Sequence, residues 1–221
     1  IAMDRTLYPE FYIVGCASPA QDLPPVLDQV LSAGDCPVLK MSYESAELTK
    51  ISINMCLVSS ISVANTMAEL CENTGADWHE IVHALRLDRR IGQHSYLSPG
   101  LGIAGGNLER DMATVRRLGN QTEADTQVVQ AWIENSRYRK LWVIREVKNL
   151  GLENSQLAVW GLAYKADTHS TKNSPSVATI TGLPDAAFRV HDPVVHDVLD
   201  DVSNVKQYDD PLAVLCGSVA L

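Results

Sequence analysis

The sequence has no CxxC pair, no excess of positive charge, no secretory leader pattern, and no internal repeat or low-complexity stretch. Each absence removes a class of protein. Its five cysteines, Cys16, Cys36, Cys56, Cys71 and Cys216, are odd in number and scattered, so they form no dense disulfide framework and read as reduced thiols of a cytoplasmic protein. No metal-ligand spacing appears. With 18 Lys and Arg against 27 Asp and Glu, the formal charge of -9 argues against nucleic acid or an anionic membrane as main partner. A phosphate ligand stays open, because local cations and backbone amides bind one inside an acidic protein. Ile1-Ala2-Met3-Asp4 lacks the basic region of a secretory signal. The stretch from Ile51 to Ala68 is uncharged over about the length of a bilayer span. It carries Ser52, Asn54, Ser59, Ser60, Ser62, Asn65 and Thr66, which are costly in lipid, so a buried helix is expected and no membrane partner.

At 221 residues and 46% apolar composition, the chain is long enough for one or two cored domains. Residues 1–43 alternate short apolar runs with turn signals such as Tyr8-Pro9-Glu10-Phe11 and Leu23-Pro24-Pro25. Within them, Val26 to Leu31 has a short helical period and Pro37-Val38-Leu39 suggests a brief strand. A long helix is predicted from Glu44 to Asn73, with Leu48, Ile51, Met55, Val58, Ser62 and Asn65 at steps of three and four. Its apolar residues run nearly all the way round, which predicts burial on most faces. Gly75 stops it, and Asp77 caps a short helix reaching about Leu85. A glycine loop follows, then helices near 108–118 and 122–149. Beyond Gly151 the period becomes strand-like: Leu157 to Gly161, a helix start from Ser174 to Thr181, and Ala187 to His191. That order predicts a βαβ unit opening a parallel sheet. The run Gly217 to Leu221 reads as entry into a further strand, and neither end reads as a natural boundary.

Some clusters carry chemistry. Glu47, Lys50 and Asn54 project from one side of the long helix. A buried ammonium is expensive without a partner or a task. One reading is therefore a Glu47–Lys50 pair at the start of the helix, with Asn54 satisfying backbone. The other is a cation and an amide aimed together at a developing alkoxide. Gly100-Leu101-Gly102-Ile103-Ala104-Gly105 formally matches GxGxxG, but 91–99 is polar and broken by glycine and proline, so the preceding strand of a dinucleotide fingerprint is missing. A glycine loop entering a helix N-terminus still suits an oxygen-rich ligand, or serves only as a tight connection.

Taken in order, Tyr8-Pro9-Glu10-Phe11 with Gly15, Glu47-x-x-Lys50-x-x-x-Asn54 with Asn65, Asp88-Arg89-Arg90-Ile91-Gly92, Gly105-Gly106 with Arg110-Asp111, and Gly161-Leu162-Ala163-Tyr164-Lys165 with Ser174-Pro175-Ser176 and His191-Asp192-Pro193 resemble the UDP-glucose/GDP-mannose dehydrogenase family, the nucleotide-sugar 6-dehydrogenases. They cover nearly the whole chain. The resemblance implies an α/β fold: the end of an NAD-binding Rossmann domain over 1–43, a central helical dimerisation domain over 44–152, and a nucleotide-sugar-binding Rossmann-like domain over 153–221. It implies NAD as cofactor, with its binding residues unassigned, a homodimer, and a nucleotide sugar as substrate, a UDP-sugar ahead of a GDP-sugar. The family activity it implies, of use in polysaccharide biosynthesis, oxidises the sugar's C6 alcohol through an aldehyde to an acid.

By the same resemblance, Lys50 and Asn54 stabilise the C6 oxyanion and Asp111 moves protons. Glu10 lines the sugar site, and Arg90 reaches the sugar of the partner subunit. Lys165 and the glycine loop, through Gly102 and Gly105, meet the nucleotide end. Lys172 stands where an arginine usually precedes the Ser-Pro, and it lacks the bidentate fork. The family loop, of the pattern GGxCFxKD, carries a nucleophilic cysteine. Counted back from Arg110-Asp111 that position is Asn107; counted forward from Gly105-Gly106 it is Leu108. Neither forms a covalent adduct with an aldehyde. Cys56 faces away from Asn54, leaving Cys16 as the stand-in thiol. Val14 replaces a second glutamate and leans toward a 2-acetamido sugar. An efficient second oxidation is therefore not expected. A nucleotide-sugar-binding or scaffold homologue is the alternative, and a helical dimer whose polar residues are purely structural is the third reading.

Overall fold

The computed structural model describes residues 6–196, 198–199 and 201–218. The expectations for Ile1-Ala2-Met3-Asp4 and for a strand running to Leu221 lie on residues outside these. The chain falls into two compact units, Ile1–Asn54 and Met55–Leu221.

In the first unit, β1 (Tyr12–Cys16), α1 (Pro25–Ser32) and β2 (Val38–Ser42) form a parallel pair joined by a helix, registered from Tyr12 opposite Val38 to Cys16 opposite Ser42. Pro25 begins α1 because proline's fixed φ suits a first helical turn and its missing N–H costs nothing there. Gly34 lies against the Tyr12 ring, where a Cβ would come within 2.7 Å. The turn signals around Tyr8-Pro9-Glu10-Phe11 predict no strand at β1. It is a strand because Tyr12-Ile13-Val14 are good strand formers, and β2 supplies the parallel partner.

Helix α2 (Tyr43–Thr74) opens in the first unit and continues through the second. It is long and apolar enough to cross a bilayer by length and composition, but only 33% of its 18-residue window of mean hydropathy 1.4 is buried. The expectation of burial on most faces is thus corrected. Asn54, Val58, Ser62, Ala64, Asn65, Ala68 and Cys71 are buried, whereas Val63, Met67 and Leu70 are exposed within this chain. Lys50 is exposed as well, so the cost of burying an ammonium does not arise within the chain. Among the described residues no ion pair joins it to Glu47.

In the second unit, α3 (Trp78–Leu87) is capped as expected by Asp77, which accepts from the His79 N–H at 2.7 Å. Trp78, Ala64, Ala68, Cys71 and Leu97 pack into one apolar cluster. Helix α4 (Asn107–Thr122) runs further than predicted and closes on Glu123 in the left-handed region. The single helix expected over 122–149 is instead α5 (Gln127–Lys140) and α6 (Trp142–Asn149). The break lies at Leu141, whose N–H turns back tightly to the Tyr138 carbonyl. Asp125 accepts from the Gln127 N–H at 2.8 Å, which fixes the later start.

The remaining elements are β3 (Gln156–Trp160), α7 (Pro175–Gly182), β4 (Ala187–His191) and β5 (Val205–Gln207), a parallel sheet ordered β3-β4-β5, with a short 3-10 turn at Ala213–Leu215. The predicted βαβ unit is present, and β5 is too short and too polar to have shown in the pattern. Its core gathers Val147 of α6 with Leu157, Leu162, Ile180, Phe188 and Val190. Each such side chain contributes roughly 1.5–3 kcal/mol by leaving water. Phe188→Ala is expected to cost about 3–5 kcal/mol in denaturant unfolding of the full chain.

Asp192, immediately after β4, is the polar staple of this lobe. It is 4% exposed. It accepts from the N–H groups of Leu162 at 2.7 Å, Ala163 at 3.1 Å, Val194 at 2.9 Å and Val195 at 2.7 Å. Burial pushes its pKa up, but these four donors outweigh that and lower it from 3.8 to about 2. Because the folded pKa is depressed, the stabilisation is complete above the unfolded value and is lost as pH falls from 3.8 toward about 2. Asp192→Asn is expected to lose on the order of 2 kcal/mol at neutral pH and to flatten stability across that acid window. An unchanged acid limb in urea titrations of the variant would contradict the assignment.

Candidate functional site

The glycine loop lies between α2, α5 and the sheet lobe, held by polar contacts from each. The Gly100 N–H donates to Asn65 Oδ1 on α2 at 2.7 Å, and the Gly100 carbonyl accepts from Arg139 Nε on α5 at 3.0 Å. The Ile103 N–H donates to Ser136 Oγ at 2.8 Å. From the sheet lobe, the Lys172 carbonyl accepts from the Gly105 N–H at 3.1 Å, and Asn173 Nδ2 donates to the Gly105 carbonyl at 2.7 Å. Gly102 and Gly105 have φ of +76° and +77°. A Cβ at Gly102 would sit 2.5 Å from the Ser136 carbonyl, and one at Gly105 would sit 2.8 Å from the Tyr164 ring. Both conformation and space therefore demand glycine there. As expected, no strand precedes the loop, so it is not a dinucleotide fingerprint.

Arg139 is itself 5% exposed and compensated by carboxylates. Glu69 lies at 3.6 Å and Glu72 at 3.5 Å, with the Trp142 ring centroid 5.2 Å from the guanidinium. Arg145 reaches Glu69 at 3.1 Å. A buried guanidinium kept in this way fixes α2 against α5 and α6, and it spends one of its five donors on the loop.

Helix α4 starts at the end of that loop, with Gly106 as N-cap and no side chain capping it. Asn107 opens the helix with its side chain exposed, whereas Leu108 packs against the cluster of Val58, Ile103, Met112 and Val129. Of the two positions counted for a nucleophile, only Asn107 presents its side chain outward. Asp111, one turn on, is 6% exposed, and Arg110 Nε stands 3.2 Å from its carboxylate. Glu109 accepts from Lys140 Nζ at 2.9 Å and from Asn173 Nδ2.

A crevice of about 380 Å³ opens at the carboxyl ends of β3 and β4. Tyr164, Lys165, Asp167, Ser176 and Val194 line it, together with Leu101 of the glycine loop. This is where open parallel sheets accept ligands. Lys165 is exposed there, its ammonium 5.4 Å from the Tyr164 ring centroid. Ser174 caps α7, accepting from the Val177 N–H at 3.4 Å, and Pro175 and Ser176 at the start of that helix line the crevice. Lys172 is exposed and lays its chain over Gly106, where a Cβ would lie 3.0 Å from Nζ.

The fold thus brings Gly102, Gly105, Asn107, Asp111, Lys165 and Lys172 into one region of the second unit. Arg90 follows α3 with its guanidinium clamped on Asp88, Nε at 3.0 Å and a terminal nitrogen at 2.6 Å. That bond is what lowers the Asp88 pKa and raises that of Arg90. Glu10, Lys50 and Asn54 belong to the first unit; Glu10 is exposed and Asn54 is 7% exposed. Cys16 ends β1, half-buried, and Cys56 is exposed. Ser136, Arg139 and Asn173 escaped the sequence reading. Asn173 alone left a signal, because asparagine tolerates the left-handed φ of 56° it adopts just before Ser-Pro.

Comparison with known proteins gives the lineage. Residues 44–137 match the central domain of the UDP-glucose/GDP-mannose dehydrogenase family, and 158–220 match its UDP binding domain. The chain is 30% identical over 204 residues to the UDP-glucose 6-dehydrogenase AglM of Haloferax volcanii, covering 87% of this chain and 46% of that protein. It is 32% identical over 187 residues to a UDP-glucose 6-dehydrogenase of Pseudomonas aeruginosa, covering 83% of this chain and 40% of that one. A solved UDP-glucose dehydrogenase from Pyrobaculum islandicum superimposes with a TM-score of 0.87 at 29% identity, over 98% of this chain and 51% of that one. The chain spans about half the length of the relatives it matches. On the two domain matches, it belongs to the UDP-glucose/GDP-mannose dehydrogenase family.

Proposed function

We propose that the chain is the substrate-handling part of an NAD-dependent nucleotide-sugar 6-dehydrogenase acting on the C6 alcohol of a UDP-sugar. The observation that carries this reading is the crevice at the ends of β3 and β4. It is shared by Lys165 and the start of α7, within the stretch matching the family's UDP binding domain, and by the glycine loop, within the stretch matching its central domain. A diphosphate suits the Lys165 ammonium and the N–H groups at a helix start. Gly102 and Gly105 keep the loop backbone close, and Lys172 adds a cation beside Gly106.

The remaining roles are proposed residue by residue. Lys50 and Asn54 stabilise negative charge on the sugar's O6, and Asp111 takes the hydroxyl proton through a water. Glu10 lines the sugar site, and Arg90, once released from Asp88, serves the partner subunit's site. The division at 43/44 and 152/153 into the end of a cofactor domain, a helical dimerisation domain and a nucleotide-sugar domain belongs to the same proposal. So does a homodimer, which the exposed Val63, Met67 and Leu70 of α2 support. NAD is the family's hydride acceptor. Among the described residues, however, no strand passes through a glycine-rich turn into a helix: β1 reaches α1 through 17–24 without a glycine. No residue here is assigned to the cofactor. A cytoplasmic setting fits the unpaired cysteines.

Asn107 favours a second reading, a nucleotide-sugar-binding homologue with impaired oxidation. Its exposed carboxamide, at one of the two positions counted for the nucleophile, cannot form a thiohemiacetal. Calorimetric titration tests the common ground of both readings. UDP is expected to bind the full chain more tightly than GDP, and Lys165→Ala is expected to weaken UDP by roughly tenfold, ~1.4 kcal/mol. Absence of UDP binding would overturn both. With the family's cofactor domain supplied, absorbance of reduced cofactor with a panel of UDP-sugars separates them: reduction without rapid uronate supports the first reading, binding without reduction the second.

A further inference from the structure

Away from the sheet crevice, α4, α5 and Asn173 enclose a cavity of about 410 Å³. Its walls are cationic, from Arg116 on α4 and Arg137 and Lys140 on α5, with Glu109 as the carboxylate among them. Glu109 is already engaged by Lys140 at 2.9 Å and by Asn173. Arg116 and Arg137 make no hydrogen bond or ion pair through their side chains among the described residues. Arg116 also borders a cleft containing Glu123 and Asp125, yet pairs with neither. In a chain of formal charge -9, a concavity whose free groups are guanidinium forks is a local reversal of sign. The cavity floor is apolar, formed by Met112, which is 2% exposed, and the half-buried Ile133.

From this juxtaposition we propose that the α4–α5 cavity is a second ligand site, for a phosphomonoester with an apolar body. The guanidinium forks of Arg116 and Arg137 match a phosphate dianion in shape and charge, and Met112 and Ile133 receive the organic part. A cavity of this size admits a small phosphorylated metabolite. The site is joined to the glycine loop through one short chain of contacts. Lys140 holds Glu109, Glu109 holds Asn173, and Asn173 holds the Gly105 carbonyl. An anion that draws Lys140 away from Glu109 thus loosens a clasp on the loop, which makes the site a regulatory one. The proposal does not depend on the identity of the substrate.

Calorimetry with phenyl phosphate and with inorganic phosphate, at constant ionic strength on the full chain, tests it. Phenyl phosphate is expected to bind more tightly than inorganic phosphate, and the double variant Arg116→Gln/Arg137→Gln to weaken it at least about tenfold. Ala113→Glu, which adds a carboxylate to the same wall while keeping both arginines, is expected to do likewise. Lys165→Gln is expected to leave this binding unchanged, which separates the site from the sheet crevice. Undetectable binding of phenyl phosphate would overturn the proposal. So would binding that survives both cavity variants, or binding lost on Lys165→Gln.

Discussion

The grip on the Gly100 peptide is the contact from which the rest of the second unit takes its arrangement. Asn65 receives its N–H and Arg139 donates to its carbonyl, so a loop that has no ladder partner is held by side chains from separate helices. A backbone segment at the junction of elements must satisfy its polar groups somewhere, and here the partners are themselves buried. Arg139 is affordable inside the protein only because Glu69 and Glu72 stand beside it. The glycine loop, the ion cluster and the packing of α2 on α5 are therefore one structure. Disturbing any of them releases the others.

That arrangement explains why the loop leads directly into an open helix start. Positive φ at Gly102 and Gly105 folds the chain over Ser136 and Tyr164, and α4 then begins with uncapped N–H groups. Asn107 lies at that opening and Leu108 on the core side. The sheet lobe is built on the same principle of fixed polar groups. Asp192 gathers the backbone N–H groups that shape the turn after β3, and this defines the floor on which Tyr164 and Lys165 stand.

Much of this was legible in the residues. The three- and four-step apolar spacing located α2, Asp77 marked the start of α3, and the change of period after Gly151 announced a parallel sheet. The family was readable because its motifs fall in order along the chain. The failures share a cause, which is that tertiary partners decide them. Strand β1 is made by β2, and the break at Leu141 is made by a local turn that no breaker residue signals. The apolar girdle of α2 predicted burial, whereas this chain covers one face and leaves Val63, Met67 and Leu70 exposed. The apolar neighbours of Lys50 in sequence predict a costly buried ammonium, whereas the side chain is exposed. Exposure is a property of what packs nearby, and the pattern carries no such information. Asn65, a polar step in the apolar spacing of α2, proves to hold the loop.

Amide hydrogen exchange on the full chain, with and without UDP, tests most directly whether the pinned loop and the sheet crevice form one ligand-bearing surface. The account predicts added protection in 100–108 and in 161–168 together, with the β3–β4 core already protected in the free protein. Protection confined to the first unit, or no change in either segment when UDP is bound, would contradict it.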